Sequence, residues 1–321
     1  MKPPYEITPD ILQLVSSIST TLGEIKSGLL VKPDPLLRKR TRIKTIHASL
    51  KIEGNTLTEE QVTAILEGKR VIGPAHDIRE VQNAVLVYDA IRVFNFTSSR
   101  SFLRAHKQMM SGLVTHAGKY RNQGAAIVKG KQLEHVAPPY DMVPYLMQDL
   151  FDYVKLHNEI PLIKSCVFHY ELEFIHPFSD GNGRMGRLWQ HVMLVHENPV
   201  FEYLPLETLI AQSQNQYYKA LAASDKLGQS HPFIVYILGV INTALQNLVN
   251  QTSGVAVTQH ERIQHFISLG ISPFTRKEYM RVFKTISTAT ASRDLKTGVN
   301  QGFFHAKGDK NKTVYKVKKD P

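Results

Sequence analysis

The sequence holds one cysteine, Cys166, so no disulfide can close within the chain. That excludes the disulfide-stapled secreted class and fits a reducing cytoplasm. Cys166 sits in an apolar stretch and reads as a small buried side chain, not a nucleophile. No uncharged apolar run approaches the length of a membrane span, so no membrane association is expected. The first ten residues lack the apolar core of a signal peptide, so no secretory leader is expected. Internal repeats and low-complexity tracts are absent. No Gly-x-x-x-x-Gly-Lys-Ser/Thr run occurs, which removes a P-loop.

What is present is 321 residues of ordinary globular composition, 42% hydrophobic and 21% charged, enough for two or three cores. The net charge of +11 is uneven. Residues 255–321 carry 13 Lys/Arg against 5 Asp/Glu, a net of +8, leaving +3 for the other 254. A separate basic C-terminal module that meets an anion, with nucleic acid as the usual candidate, follows from that asymmetry; a merely solvated basic face is the plainer reading.

The chain reads as mostly helical. Thr8-Pro9 is a start signal, followed by an apolar stripe at Ile11, Leu12, Val15, Ile18 and Leu22. Lys32-Pro33-Asp34-Pro35 breaks the chain, and a basic helix is predicted from Leu36 to about Glu53, stopped by Gly54-Asn55. Thr58 opens another helix, ended near Gly68. Asp77 and Glu80 make a predicted capping box for a helix through Val93. Ala125–Val128 and Leu133–Val136 flank Lys129-Gly130-Lys131 as a β-hairpin. Helical patterns resume from Asp141 to about Val249, and residues 251–254 read as a linker. Three short helices follow, Gln259–Leu269, Thr275–Phe283 and Ser287–Thr297, and then two strands, Phe303–Ala306 and Thr313–Val317. Three helices and a basic hairpin resemble a winged helix-turn-helix whose recognition helix holds Arg293 and Lys296.

The chemistry concentrates in residues 176–187, His-Pro-Phe-Ser-Asp-Gly-Asn-Gly-Arg-Met-Gly-Arg. A helix must stop at His176-Pro177, because proline disfavours helical backbone in the residue before it. A second helix is predicted to begin after Gly183, with its free N–H groups aimed into the loop where an anion can sit. Gly181 and Gly183 let the backbone approach that anion. Asp180 is the loop's only carboxylate and the natural Mg²⁺ ligand. Arg184 and Arg187 share a helix face and suit successive phosphates. His176 faces them as a general base at neutral pH. The run Gly181-x-Gly183-x-x-Gly186 also matches a dinucleotide fingerprint, but a helix and a proline precede it where a strand should.

This run resembles the signature of the Fic family, proteins that transfer AMP from ATP to hydroxyl side chains, and every specified position is present. The resemblance implies that His176 takes the target's proton and that Asp180 holds the metal. It implies an anion site at Gly181, Asn182 and Gly183, with Arg184 and Arg187 on the outer phosphates and Met185 and Gly186 alongside. Ser49-Leu50-Lys51-Ile52-Glu53-Gly54 resembles the family's inhibitory motif. Ser49 and Glu53 lie one helical turn apart, so Glu53 could pair with Arg187 and displace the γ-phosphate, and Gly54 lets the chain leave at once. Gly118-Lys119-Tyr120-Arg121 resembles a common Fic stretch. The hairpin corresponds to the family's flap, on which a target strand docks, and the resemblance implies that its Ile127, Val128, Lys129 and Gly130 also bind the nucleotide. Tyr217-Tyr218 resembles an aromatic pair near the nucleobase pocket.

The sequence therefore predicts a Fic-type helical core with a small β-hairpin flap and a C-terminal winged helix-turn-helix. The predicted domains are 1–90 with the inhibitory helix, 91–250 as the catalytic core, and 255–321. The implied activity is autoinhibited protein adenylylation with ATP and Mg²⁺. Its partners would be a target protein on the 125–136 hairpin, the protein itself, a nucleic acid or protein for the basic module, and a second copy in a homodimer. The rival is a DNA-binding regulator that only senses ATP. Within the enzyme class, transfer of another nucleotide or removal of AMP remains open, since Glu53 could orient a water.

Overall fold

A computed structural model describes residues 2–27, 35–129, 132–252, 258–283, 286–308 and 313–318, with the side chains of 126–129, 132–136, 251, 252, 261 and 268 outside the description. The chain divides into two compact units, Met1–Thr21 with Pro33–Leu248, and Leu22–Lys32 with Val249–Pro321. Most of residues 1–90 and 91–250, read apart in the sequence, fall together in the first unit, while 22–32 and 249–250 group with the second.

Helix α1 (Pro9–Ser27) begins at the predicted proline. Ile11, Ile18 and Ile25 face inward, while Leu12 of the predicted stripe is exposed. The basic stretch forms α2 (Pro35–Ile52), which ends one residue short of the expected Glu53, with Gly54 at φ +95°. Next comes α3 (Glu59–Leu66), opened by a complete capping box between Thr58 and Gln61. In α4 (Ala75–Asp89) the predicted Asp77/Glu80 capping box does not form, because both acids are engaged elsewhere. Asp77 accepts from the backbone N–H and hydroxyl of Thr56, at 2.8 and 2.6 Å. Glu80 turns into the core.

The body of the first unit is built on α5 (Ser99–Met109), α6 (Val143–Leu156), α7 (Pro161–Ile175) and α8 (Asn182–Glu197). Ten of the 15 residues of α7 and 13 of the 16 of α8 are buried, as in helices surrounded by others. Trp189, Phe102, Phe151, Phe168 and Phe178 pack edge-to-face and offset around them, with Phe102 5.0 Å from Trp189. Gly186 permits the close crossing, since a Cβ there would lie 2.6 Å from the His169 ring. The predicted hairpin is present as β1 (Ala126–Lys129) and β2 (Gln132–Val136), antiparallel with a register shift at Ile127/Val128. Three more helices close the unit: α9 (Leu206–Gln212), α10 (Gln214–Leu227) and α11 (His231–Thr252). Against the sequence reading, α11 is long and apolar enough to cross a membrane by length and composition. In the fold its Phe233, Ile234, Ile237, Leu238, Ile241 and Leu245 are core. Ser253 and Gly254 of the predicted linker lie outside the described residues.

In the second unit, α12 (Gln259–Ser268), α13 (Arg276–Val282) and α14 (Thr288–Asn300) follow the predicted order. The predicted strands appear as β4 (Phe304–Lys307) and β5 (Val314–Val317). A two-residue strand, β3 (Phe274–Thr275), also pairs with β5 and was not predicted; the sheet order is β3-β5-β4. Phe266, Phe274, Tyr279, Leu295 and Phe304 form the unit's own core.

Candidate active site

The loop between α7 and α8 is held by its own residues. His176 caps α7 in the left-handed region, φ 50° and ψ 59°, the one non-glycine with positive φ among the described residues. Asn182 closes the loop from the other side. Its amide donates to the Phe178 carbonyl at 2.9 Å, and its carbonyl accepts the Phe178 N–H at 2.8 Å. Gly181, at φ +87°, leads into α8, which starts one residue before Gly183 and not after it. The first helical bond back into the loop runs from Met185 N–H to Gly181 C=O, 3.0 Å. The N–H groups ahead of it lie outside the helical ladder, where an anion is favoured.

Two arginines flank this turn. Arg184 is 4% exposed, paired with the buried Glu80 and, at 3.0 Å, with Asp180. Asp180 also accepts its neighbour Gly181's N–H at 2.6 Å and keeps about half its side chain in solvent. Arg187 is bound by α2: its Nε donates to the Ser49 hydroxyl at 3.2 Å and its Nη2 to the Ser49 carbonyl at 3.0 Å. The same Nη2 donates to Glu53 Oε1 at 2.7 Å. Burial alone would lower the guanidinium's pKa, but the charge and hydrogen bond of Glu53, together with Tyr217 and Glu173, outweigh it and hold the pKa above the usual arginine value. Glu53 Oε1 also covers Gly183, where a Cβ would meet it at 2.6 Å. The turn that suits an anion already lies against one, supplied by the chain itself. Free helical N–H groups, two arginines and a half-exposed Asp180 are a donor set that fits a polyphosphate with Mg²⁺.

Some sequence-named residues stand outside this arrangement. Met185 is fully buried and its N–H is taken by the Gly181 carbonyl, so neither is left for a ligand. Gly186 serves the α7/α8 crossing. Tyr217 is 1% exposed, packed on His169, Phe233 and Tyr236 with its hydroxyl 3.1 Å from His169 and 3.3 Å from Glu173. No face of it is free for a base, because core packing has claimed it. Tyr218 is half-buried, edge-on to Tyr217. The side chains of Ile127, Val128 and Lys129, and all of Gly130, lie outside the described residues.

Other residues enter that motif reading missed. Glu80, read as a cap, is the partner of Arg184 and of Asn55 Nδ2 at 2.8 Å. His106, without any local signal, contacts the Asp180 carbonyl at 3.0 Å through Nε2 and takes the Gly118 N–H at 2.8 Å on Nδ1. Its ring stacks on Phe178 at 3.5 Å. Burial pulls its pKa down to about 4, so it is neutral. Accepting on Nδ1 leaves the proton on Nε2, donated to Asp180. His76, Asp77 and Glu80 offer ligand atoms within 4.8 Å of one another, but both carboxylates are already engaged by Thr56, Asn55 and Arg184.

Residues 96–194 match the Fic/DOC family. A crystal structure of a Fic family protein from Desulfovibrio desulfuricans G20 aligns at TM-score 0.76 and 38% identity, covering 100% of this chain and 99% of that one. The protein adenylyltransferase fic-1 of Caenorhabditis briggsae is 28% identical over 238 residues, 67% of this chain and 45% of its own length. The protein adenylyltransferase Fic of Nematostella vectensis is 27% identical over 246 residues, 71% of this chain and 55% of its own. The chain thus spans about half the length of the curated relatives it matches.

Proposed function

The chain belongs to the Fic family, and from that premise we propose that it transfers AMP from ATP to a hydroxyl side chain of a protein. His176 takes the proton of that hydroxyl, whose oxygen bonds to the α-phosphorus. The bond from that phosphorus to the bridging oxygen breaks, and pyrophosphate leaves. The first turn of α8, with Arg184 and Arg187, binds and orients the phosphates. A Mg²⁺ at Asp180 would neutralise phosphate charge. His106 and Asn182 keep the loop in shape.

One observation carries the reading: Arg187, buried in the first turns of α8, is gripped by Glu53, whose carboxylate lies over Gly183. A protein built only to bind a structural ion would have no use for an internal anion at that place. Glu53 then acts as an inhibitor that competes with the nucleotide's terminal phosphate. The test uses ATP labelled at the α- or the γ-phosphate. Covalent label from α-labelled ATP alone, lost in His176→Ala, supports AMP transfer. Label from γ-labelled ATP, or label that survives His176→Ala, overturns it.

For the second unit we propose a winged helix-turn-helix that meets an anionic partner. Its support is the order of three helices and a β4–β5 hairpin, with Arg293 and Lys296 exposed on α14. Salt-sensitive DNA binding that weakens on replacing both residues would support nucleic acid as that partner.

A further inference from the structure

Arg121 is 7% exposed, and every hydrogen bond recorded for it runs to a backbone carbonyl. Nε donates to His176 C=O at 2.7 Å, Nη1 to Gln123 C=O at 2.8 Å, and Nη2 to Pro138 C=O at 2.6 Å and Ile175 C=O at 3.3 Å. Its own backbone N–H donates to Pro177 C=O at 2.8 Å. The acceptors belong to two separate pieces of the molecule. Gln123 and Pro138 are the two stems of the β1/β2 hairpin, which is closed just above them by Ala137 N–H to Ala125 C=O at 3.2 Å. Ile175, His176 and Pro177 are the end of α7 and the start of the loop. A forked, planar donor is the side chain suited to reach several carbonyls at once, and a lysine's single nitrogen cannot replace it.

His176 is also the residue with left-handed backbone, a conformation that needs outside support in a residue with a Cβ. That conformation turns its carbonyl to where Arg121 Nε binds it. We propose that Arg121 is a positioning residue: it fixes the imidazole of His176 and the hairpin that would present the target strand in one frame, so that base and hydroxyl meet in register. This rests on the AMP-transfer reading above. Arg121 touches neither the α8 turn nor its arginines in any recorded contact, so its loss should leave nucleotide binding in place and slow the chemistry.

The test takes Glu53→Gly as parent and adds Arg121→Lys and Arg121→Ala. Measured are the rate constant of α-phosphate autolabelling at saturating ATP, ATP affinity by calorimetry, and amide hydrogen exchange. The expected result is a rate constant about 10²-fold lower, the scale of a misplacement near 1 Å. ATP affinity should stay within about threefold, the split expected when only a step after binding is lost. Exchange should rise together in 123–138 and 175–178, and added guanidinium ion should restore part of the rate in Arg121→Ala. Should Arg121→Ala fail to fold, Arg121→Lys decides the matter. Unchanged rates, a fall in ATP affinity parallel to the rate, or unchanged exchange in those two segments would overturn the proposal. A parent that gives no His176-dependent label counts against the AMP-transfer reading instead, and the exchange measurement still decides whether Arg121 ties the two segments.

Discussion

Arg187 in the first unit and Arg262 in the second are both guanidiniums that grip a carboxylate, but the acids differ in what surrounds them. Arg262 meets Asp294 with two bonds, 2.6 and 2.9 Å, and Asp294 is 1% exposed with the Tyr279 hydroxyl 3.3 Å away. The acid sits within α14, locked by that helix. Arg187 meets Glu53 with one bond, and the Glu53 side chain is 27% exposed. This acid sits just past the end of α2, beside Gly54. A closed pair of this kind holds a core together and cannot exchange its anion without unfolding. An open one leaves the arginine desolvated and ready while its acid can be replaced by a competing anion. The fold thus uses one kind of interaction for structure in one place and, on the function proposed above, for regulation in another.

The comparison is broken most severely by removing each acid in turn. Asp294→Ala should leave the Arg262 guanidinium, 11% exposed, without its buried carboxylate and cost about 3–5 kcal/mol. Trp189, the sole tryptophan, is fully buried in the first unit. The Asp294→Ala loss should therefore appear in circular dichroism as an early transition with unchanged Trp189 fluorescence. A simultaneous fluorescence change would show that the two units do not unfold separately.

Acid sharpens the contrast. Burial lowers His106 to about 4 and His169 to about 3, against about 6.5 when unfolded. At these two imidazoles the unfolded chain binds more protons than the folded one between pH 6.5 and 4, which makes stability rise with pH; Glu171, pushed up to about 7 by burial, opposes that trend over the upper part of the window. The His106 contribution alone is on the order of 3 kcal/mol. Urea unfolding of Glu171→Gln followed by Trp189 at pH 7, 5.5 and 4 should show the decline without that opposing group, and a flat response would contradict the neutral, buried imidazoles.

Glu53→Gly should cost less stability than Asp294→Ala, since Arg187 keeps both of its bonds to Ser49, and should raise α-phosphate labelling by about 10²-fold, as a misplaced phosphate is corrected. Equal labelling of the two proteins would mean that the open pair does not inhibit. At the small end, Thr275→Ala removes the cap of α13, whose capping box with Glu278 is complete, for about 1 kcal/mol in the second unit alone. A shift in the Trp189 transition on that change would blur the line between the units.

How much of this was legible in advance depended on sequence distance. The 176–187 run could be read because its parts are contiguous. The proline that stops α7, the glycine that turns the loop and the asparagine that staples it act across four residues or fewer, and the chemistry of a short loop follows from its order. Ser49 and Glu53 share a helix face for the same reason, although their pairing with Arg187 came from the resemblance. The hairpin and the three C-terminal helices were visible as periodicity and turn residues, within one to three residues at their ends. Glu80 was misread because Asp-x-x-Glu looks like a cap until one knows that Arg184 lies beside it. Tyr217 was misread because an aromatic pair looks the same in a pocket or a core.

By itself, then, the order of residues settled the helical class, the loop with its histidine, acid and arginines, and a separate basic end. Only the tertiary structure decided which carboxylate answers each arginine, that His106 stays uncharged under the loop, and that Arg121 binds hairpin to histidine. The bonds of Glu53 to Arg187, Glu80 to Arg184, His106 to Asp180 and Arg121 to His176 join residues roughly 50 to 140 positions apart. Local propensity carries no information about them, because a polar side chain reveals its partner only after the chain has brought the two together and removed the water between them.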